Sequence, residues 1–342
     1  MKIGLIGCGR VANEHMKIYR YIKNVEVVAV SDIDIKKAKR LADKYKVRNV
    51  FQNYLDLLEV KELEFVDVCT PPSTHASVAC NAAQFGHNIL LEKPMALTTD
   101  ECEKIIQATR KHGINLCVCH NQIFFPAIRK AKLLIDSGCW DIISFKTSIK
   151  ENPEMFRVPA WNVSPKEKGI LWEAGYHPAY LHLHFLGKIK EVYAVGSRVK
   201  YPVFDHFAVF LRTSNKAYGI IEISWLTKKS EKIYEINNSD GKQAYMIASP
   251  PYASQGYDTL LEKSGITEEG IYSELKKFLQ YLMKTKALFG YFIGHYYLIN
   301  SFIKSLENGL PPPVQPEEGK ETIWLLECIE QSLNMRKAVK VK

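Results

Sequence analysis

Along the first 120 positions, apolar residues come in short continuous runs separated by longer amphipathic stretches, the rhythm of buried parallel strands joined by helices. Lys2-Ile3-Gly4-Leu5-Ile6 predicts a first strand, and a helical pattern follows it through Ile22. Val25 to Ser31 predicts a second strand. Helices are expected over about 34–46 and 53–60, and Phe65-Val66-Asp67-Val68-Cys69 reads as the next strand. A helix to about Phe85, a strand over Asn88-Ile89-Leu90-Leu91, a helix over about 98–112 and a strand from Asn115 to Cys119 continue the alternation. Elements alternating at these spacings predict an α/β fold with a doubly wound parallel sheet.

Beyond residue 121 the pattern changes. Pro126 to Ser137 predicts a helix stopped by Gly138, Ile142 to Lys150 a strand, and 152–168 is irregular, with Pro153, Pro159 and Pro165. Val192 to Val199, Phe207 to Arg212, Ala217 to Trp225 and Lys232 to Ile236 read as strands, with a hairpin turn around Ser214-Asn215. The stretch 251–272 carries no assignable pattern. Helices are expected over Ser273–Lys286, Tyr296–Glu307 and about Glu317–Leu333, with Asn308-Gly309 as a stop and Pro311-Pro312-Pro313 as a rigid connection. At 342 residues the chain exceeds what one core normally supports, so two domains are expected, 1–121 and 122–316, followed by a C-terminal helical stretch, 317–342.

Composition narrows the function classes. The chain is 46 % hydrophobic and 24 % charged, with a net charge of +9 spread along its length, which favours attraction of small anions over a nucleic-acid groove. Eight cysteines without a CxxC pair sit mostly in apolar runs, as buried thiols of the reducing cytoplasm do. With a strand starting at Lys2, no secretory leader is expected. Ala287 to Ile303 runs 17 residues without an acidic residue, lysine or arginine, short of the roughly 20 that a membrane span needs. It therefore reads as a buried helix or an oligomer face.

The chemistry gathers where predicted strands end. Gly7-Cys8-Gly9-Arg10-Val11-Ala12 follows a strand and opens a helix. The first glycine permits a tight turn, the second lets a pyrophosphate approach the backbone, and Ala12 allows close packing of helix on strand. Phosphate charge then sits on the N–H groups of the helix start. Asp32 ends the second strand 20 residues after Ala12, where a carboxylate takes ribose hydroxyls and repels a 2′-phosphate, favouring NAD over NADP. Lys36 and Lys37 leave NADP open, and Asp32 has a second reading as the N-cap of the following helix. Thr70-Pro71-Pro72-Ser73-Thr74-His75 forms a proline-fixed loop with its hydroxyls and His75 facing the crevice, although His75 also suits a plain helix start. Glu92-Lys93-Pro94 and His120-Asn121 end the last two strands, the edge where open parallel sheets place ligands.

In this order and spacing, Gly7-x-Gly9-x-x-Ala12, Thr70-Pro71-Pro72-x-x-His75, Glu92-Lys93-Pro94 and His120-Asn121 resemble the Gfo/Idh/MocA oxidoreductase family, which includes glucose-fructose oxidoreductase and inositol dehydrogenase. The resemblance implies an N-terminal Rossmann domain and a C-terminal α/β domain. The open, mostly antiparallel sheet of that second domain carries substrate and often an oligomer interface, here of a homodimer or homotetramer. It implies a final helix that returns toward the Rossmann domain. NAD would be held by Gly7, Gly9, Arg10, Val11, Ala12, Asp32, Thr70, Pro71, Pro72, His75, Glu92, Lys93, Asn121 and Trp161.

The family's pattern Gly-Gly-Gly, three residues, Asp, three residues, His falls on 167–177. Gly169 and His177 match it, Glu173 stands in place of Asp, and Glu167 and Lys168 replace two glycines. Oxidation of a secondary alcohol needs a base and a nicotinamide held against the carbon that loses hydride. His177 titrates near neutrality and is assigned as the base. Lys93, whose amine starts near a pKa of about 10.4, holds and polarises the substrate oxygen, and Glu173 orients His177 or the substrate. Glu173 and His177 are four apart and would share a helical face. A metal site on Glu173, His177 and His184 is a rival without supporting spacing, so no metal is expected. Trp161, Tyr176 and Arg157 are candidate pocket residues.

The function that follows is NAD(P)-dependent oxidation of a sugar, cyclitol or nucleotide-sugar in the cytoplasm, with no nucleic-acid or membrane partner. Alternatives are a glycosidase that uses NAD transiently and a non-catalytic dinucleotide-binding protein.

Overall fold

The computed structural model describes residues 1–154, 163–241, 243–248 and 291–341. Arg157, Trp161, the stretch 251–272 and the helix expected over Ser273–Lys286 lie outside the described residues. A first sheet contains β1 (Lys2–Ile6), β2 (Glu26–Ser31), β3 (Asn49–Phe51), β4 (Phe65–Val68), β5 (Asn88–Leu91) and β6 (Leu116–Val118). A second contains β7 (Ile142–Lys150), β8 (Ile189–Ser197), β9 (His206–Thr213), β10 (Tyr218–Ser224), β11 (Glu231–Asn238), β12 (Gln243–Ala248) and β13 (Val339–Lys340). The early helices are α1 (Arg10–Tyr19), α2 (Ile35–Tyr45), α3 (Tyr54–Leu58), α4 (Pro72–Gln84) and α5 (Thr99–His112). Later come α6 (Pro126–Asp136), α7 (Gly169–Glu173), α8 (Tyr176–Leu186), α9 (Tyr291–Glu307) and α10 (Pro316–Met335).

Two compact units emerge, and they do not follow the chain in consecutive blocks. The first unit comprises Met1–Asn121, the described part of Pro159–Tyr180, and His295–Gln331. Its sheet is wholly parallel in the order β3-β2-β1-β4-β5-β6, and the order in which successive strands are added reverses between β1 and β4. Ile3, Leu5, Ala29, Phe65, Val66, Ile89 and Leu90 are completely buried, as expected for strands covered on both faces. α5 begins with a capping box of Thr98 and Glu101 and ends at Gly113 in the left-handed conformation. The late segments belong here because they bond to it: Val118 N–H donates to Val314 O, Thr99 donates through N and Oγ1 to Glu327, and Gly319 packs against Met95 and Val118.

The second unit comprises Gln122–Val158, Leu181–Gly294 and Ser332–Lys342, again in its described residues. Its sheet runs β12-β11-β7-β10-β9-β8-β13, and only the β7–β10 pairing is parallel. The hairpin expected around Ser214-Asn215 joins β9 to β10. Val192, Ala194, Val209, Leu211, Ile221 and Ile223 form the buried face. On the opposite face Tyr193, Val195, Phe210 and Tyr218 are 40–48 % exposed, and Phe210 stacks on Tyr218 with ring centroids 5.6 Å apart.

Strands β3, β12 and β13 were not expected. β3 and β13 are three and two residues long, too short for a periodic signal. α9 starts five residues earlier than its expected start at Tyr296 and buries Leu298, Ile299, Phe302 and Ile303, which fits the buried-helix reading of its apolar run. Among the described residues no helix is long and apolar enough to cross a membrane.

Candidate active site

Where β1 ends, the chain turns into α1 through a loop that works by lacking side chains. Gly7 adopts φ +90°, its N–H donates to Ser31 O at 2.8 Å, and a Cβ there would lie 2.7 Å from Cys69 O. Gly9 is the exposed N-cap of α1, and a Cβ there would meet no atom of the described residues within 4 Å. Open space therefore stands over the helix start, whose first N–H groups have no intrahelical acceptor. Ala12 is fully buried beneath, Arg10 is exposed and Val11 half-buried. This cradle fits a pyrophosphate.

Asp32 lies beside it, half-buried, with Oδ2 accepting from Cys8 N–H and Oδ1 from Asp34 N–H, both at 2.8 Å. The N-cap of α2 is Asp34, which accepts from Lys36 N–H, so the capping role considered for Asp32 belongs to its neighbour. Ile33 is 88 % exposed next to it.

In the loop after β4, His75 takes the helix-start reading, in the first turn of α4, and not the crevice-facing one. Its ring is fully buried, with Nδ1 2.7 Å from Pro94 O and Nε2 2.8 Å from Thr70 O, and burial pulls its pKa down. Instead of facing the crevice it pins the Thr70-Pro71-Pro72 turn to the turn after Lys93. Pro72 is the first residue of α4, Pro71 is exposed, and Thr70 Oγ1 accepts from Thr74 Oγ1 at 2.8 Å. Glu167 replaces a family glycine and takes up a role of its own. It accepts from Ser73 N–H at 3.1 Å and Ser73 Oγ–H at 2.5 Å, placing a carboxylate on the first turn of α4. Lys168, at the next expected glycine, holds φ +63°, lies over the Trp172 ring and pairs with Glu330 at 2.8 Å.

At the end of β5, Lys93 Nζ lies 3.2 Å from Glu173 Oε2 and donates to Glu173 O at 3.1 Å. The helical face expected to join Glu173 and His177 does not form. α7 ends at Glu173, and α8 starts at Tyr176 after a break at Gly175, where a Cβ would fall 2.4 Å from Leu171 O. Glu173 thus serves Lys93, while His177 Nδ1 meets Tyr180 Oη at 2.9 Å. Tyr180 is fixed in turn by His120, whose ring stacks on it at 4.3 Å. Tyr176, a candidate pocket residue, is fully buried with its hydroxyl 2.9 Å from His120 Nε2 and its ring edge-on to those of His120 and Tyr180.

Glu92 and Asn121 were expected against the cofactor, and both are buried, at 5 % and 1 % exposure. Glu92 Oε2 accepts from Lys93 N–H at 3.1 Å. Its Oε1 lies 3.2 Å from His15 Nε2 and 3.5 Å from His295 Nε2, off the axis of a linear hydrogen bond. Asn121 Nδ2 is 3.2 Å from His295 Nδ1, and its Oδ1 accepts from Tyr180 Oη at 3.5 Å. His15 Nδ1 and Tyr19 Oη each meet Asp67 Oδ2 at 2.8 Å. Burial opposes charge on His15, but Asp67 and Cys69 outweigh it and raise its pKa well above the ordinary value. Burial would raise Glu92, yet His15 and His295 hold its carboxyl well below the usual range.

Tyr180, His15, Asp67 and His295 were missed from sequence. A histidine on the buried stripe of α1 and an acid inside the apolar run of β4 were the available signals. Among the described residues, His/Cys/Asp/Glu groups close enough to hold an ion gather around His15, with Glu92 and Cys119 or with Asp67 and Cys69, and exclude Glu173, His177 and His184.

Comparison with known proteins agrees with this architecture. The family described as "Oxidoreductase family, NAD-binding Rossmann fold" matches residues 1–120, and the "GFO/IDH/MocA C-terminal domain" matches 128–243. The chain is 27 % identical over 228 residues to the uncharacterized oxidoreductase YrbE of Bacillus subtilis, covering 65 % of this chain and 66 % of that protein. It is 22 % identical to the myo-inositol 2-dehydrogenase of Thermotoga maritima, covering 100 % and 99 % of the two. The crystal structure of the WlbA dehydrogenase of Bordetella pertussis with NADH and UDP-GlcNAcA superposes with a TM-score of 0.84 at 19 % identity, covering 100 % and 98 %. The chain belongs to the Gfo/Idh/MocA oxidoreductase family and carries that family's NAD-binding Rossmann fold at its N-terminus.

Proposed function

We propose that this chain is an NAD-dependent dehydrogenase acting on a secondary alcohol of a sugar, cyclitol or nucleotide-linked sugar. The observation that carries the reading is the pairing of Lys93 with Glu173, which shares one compact unit with a Tyr180-anchored His177 and the open glycine loop. Gly7, Gly9 and the start of α1 would hold the pyrophosphate, Asp32 the ribose hydroxyls, and the exposed Ile33 one face of the adenine. Asp32 also opposes a 2′-phosphate, which supports NAD over NADP. When bound, NAD supplies the hydride acceptor for the alcohol carbon.

The remaining chemistry belongs to the protein. The Lys93 ammonium donates to the substrate oxygen and stabilises negative charge that grows on it as the proton leaves. Two contacts to residue 173 hold that ammonium in place, so Glu173 retains the charge of the family's aspartate while acting on the lysine. His177 takes the hydroxyl proton. The retained acid, and the left-handed conformation that Lys168 keeps at a glycine position, support catalysis over a binding-only role.

Related proteins point to the substrate class through their names, a myo-inositol 2-dehydrogenase and a D-apiose dehydrogenase. The exposed aromatic face of the second sheet suits a homo-oligomer interface, and eight unpaired cysteines suit a reducing cytoplasm. The test is mass spectrometry of the copurifying cofactor, then a polyol, pentose and nucleotide-sugar screen followed by NADH absorbance. Stoichiometric NADH release with one of these alcohols is expected. Glycosidic cleavage without net NADH, or no turnover with any of them, would overturn the proposal.

A further inference from the structure

We propose that buried Glu92, acting through His295, Asn121 and Tyr180, sets the tautomer of His177 so that its Nε2 is the proton acceptor. The inference deepens the functional reading above and rests on His177 being the base. Four contacts form one chain inside a single compact unit: His177 Nδ1 to Tyr180 Oη at 2.9 Å, Tyr180 Oη to Asn121 Oδ1 at 3.5 Å, Asn121 Nδ2 to His295 Nδ1 at 3.2 Å, and His295 Nε2 to Glu92 Oε1 at 3.5 Å.

Proton bookkeeping gives the chain a direction. A carboxylate is only an acceptor, so the His295 nitrogen facing Glu92 carries the ring proton. In the neutral ring Nδ1 is then a lone pair, and the Asn121 amide turns its NH₂ toward it. That leaves Asn121 Oδ1 toward Tyr180, whose hydroxyl proton points there. Tyr180 Oη then offers a lone pair to His177, which donates from Nδ1 and keeps Nε2 unprotonated.

In a neutral ring the reverse orientation of the amide would put the proton on His295 Nδ1 and turn the Nε2 lone pair against Glu92, and only a doubly protonated His295 would accommodate it. The structure has the amide the other way, with Nδ2 on His295 Nδ1 and Oδ1 accepting from Tyr180, the arrangement that the neutral ring requires. Glu92 stays anionic because His15, itself held charged by Asp67, lies 3.2 Å from Oε1 and the Lys93 N–H donates to Oε2 at 3.1 Å. Tyr180, His120 and Tyr176 form a contiguous ring cluster that fixes the hydroxyl in place. A carboxylate that selects a histidine tautomer is the usual arrangement of a catalytic triad. Here two side chains and a second histidine extend its reach.

The test reads the tautomer directly, independently of turnover. Long-range ¹⁵N–¹H spectra of ¹⁵N-histidine-labelled protein, with His177 assigned by loss of its signal in His177→Gln, are expected to show Nδ1–H at His177. Tyr180→Phe should shift it toward Nε2–H and lower kcat roughly 10- to 100-fold, part of the 10²–10⁴ that a general base contributes, with NAD affinity unchanged. Glu92→Gln should move the same signal in the same direction. An Nε2–H His177 in the unaltered protein, or an Nδ1–H signal that survives Tyr180→Phe, would overturn the inference. Full turnover in His177→Gln with the tautomer shifts intact would instead refute the assignment of the base.

Discussion

The two ends of the candidate site, marked at the edge of one parallel sheet by the glycine loop after β1 and by Lys93 after β5, are built in opposite ways. At the glycine loop the working parts are backbone N–H groups and empty space, and a side chain at Gly7 or Gly9 would occupy one or the other. At Lys93 and His177 the proposed working parts are ionisable side chains, and Asp67, His15, Glu92 and His295 in the same unit are all nearly inaccessible to solvent. A cofactor present in every turnover is well served by a cradle of fixed dipoles that needs no reorganisation. Proton transfer needs charges held at set positions, and holding them in a low-dielectric interior requires that each be paired.

The most drastic way to separate the two ends is Lys93→Met. Turnover is expected to fall by roughly three orders of magnitude or more, while the Kd for NAD, measured by fluorescence titration, stays within a few-fold. Equal loss of both would show that the ends do not work independently.

His15→Ala breaks the comparison from inside the protein. It leaves Asp67 and Glu92 buried without the cation between them, a loss of about 3–5 kcal/mol expected in urea unfolding. The pH dependence follows from the two shifts. His15 is raised, so its contribution is full below its ordinary value of 6.5 and is lost as pH climbs through the raised value. Glu92 is depressed, so its contribution is full above 4.5 and is lost as pH falls through the lowered value. The unaltered protein should therefore be most stable between those limits, and His15→Ala should lose the alkaline limb. A variant as stable as the parent at neutral pH would refute the ion-pair account.

The glycine end was legible in the sequence because its parts are local. Strand, Gly7-x-Gly9-x-x-Ala12 and Asp32 fall within about 30 consecutive residues, and the sheet order follows from the alternation of elements. The other end was legible only at Lys93, Glu173 and His177, through a family spacing. Its supporting contacts bridge 52 positions between His15 and Asp67 and 174 between Asn121 and His295, distances across which periodicity carries no information. The helical-face inference for Glu173 and His177 failed for a local reason: Gly175 breaks the helix between them.

A paired substitution sharpens the account of the glycine end. Gly7→Ala meets both a left-handed φ of +90° and a backbone carbonyl 2.7 Å away, and should cost about 1–3 kcal/mol of stability. Gly9→Ala meets nothing among the described residues and should stay within about 1 kcal/mol. It should nonetheless weaken NAD binding roughly tenfold or more, about 1.4 kcal/mol, because its methyl group enters the space left for the pyrophosphate. Unchanged NAD affinity in Gly9→Ala would remove the cradle from the binding site.

The smallest expected effect concerns Glu167, where the family pattern has glycine. Its carboxylate satisfies Ser73 on the first turn of α4 and is mostly buried, so Glu167→Ala should cost about 1 kcal/mol, the usual worth of a lost cap. Because the bond ties 163–175 to the turn carrying Thr70 and Pro71, the loss should appear in thermal unfolding while kcat remains close to the parent's. If kcat falls with stability unchanged, Glu167 acts on the reaction itself, and the replacement of the family's glycine is part of the chemistry and not of the scaffold.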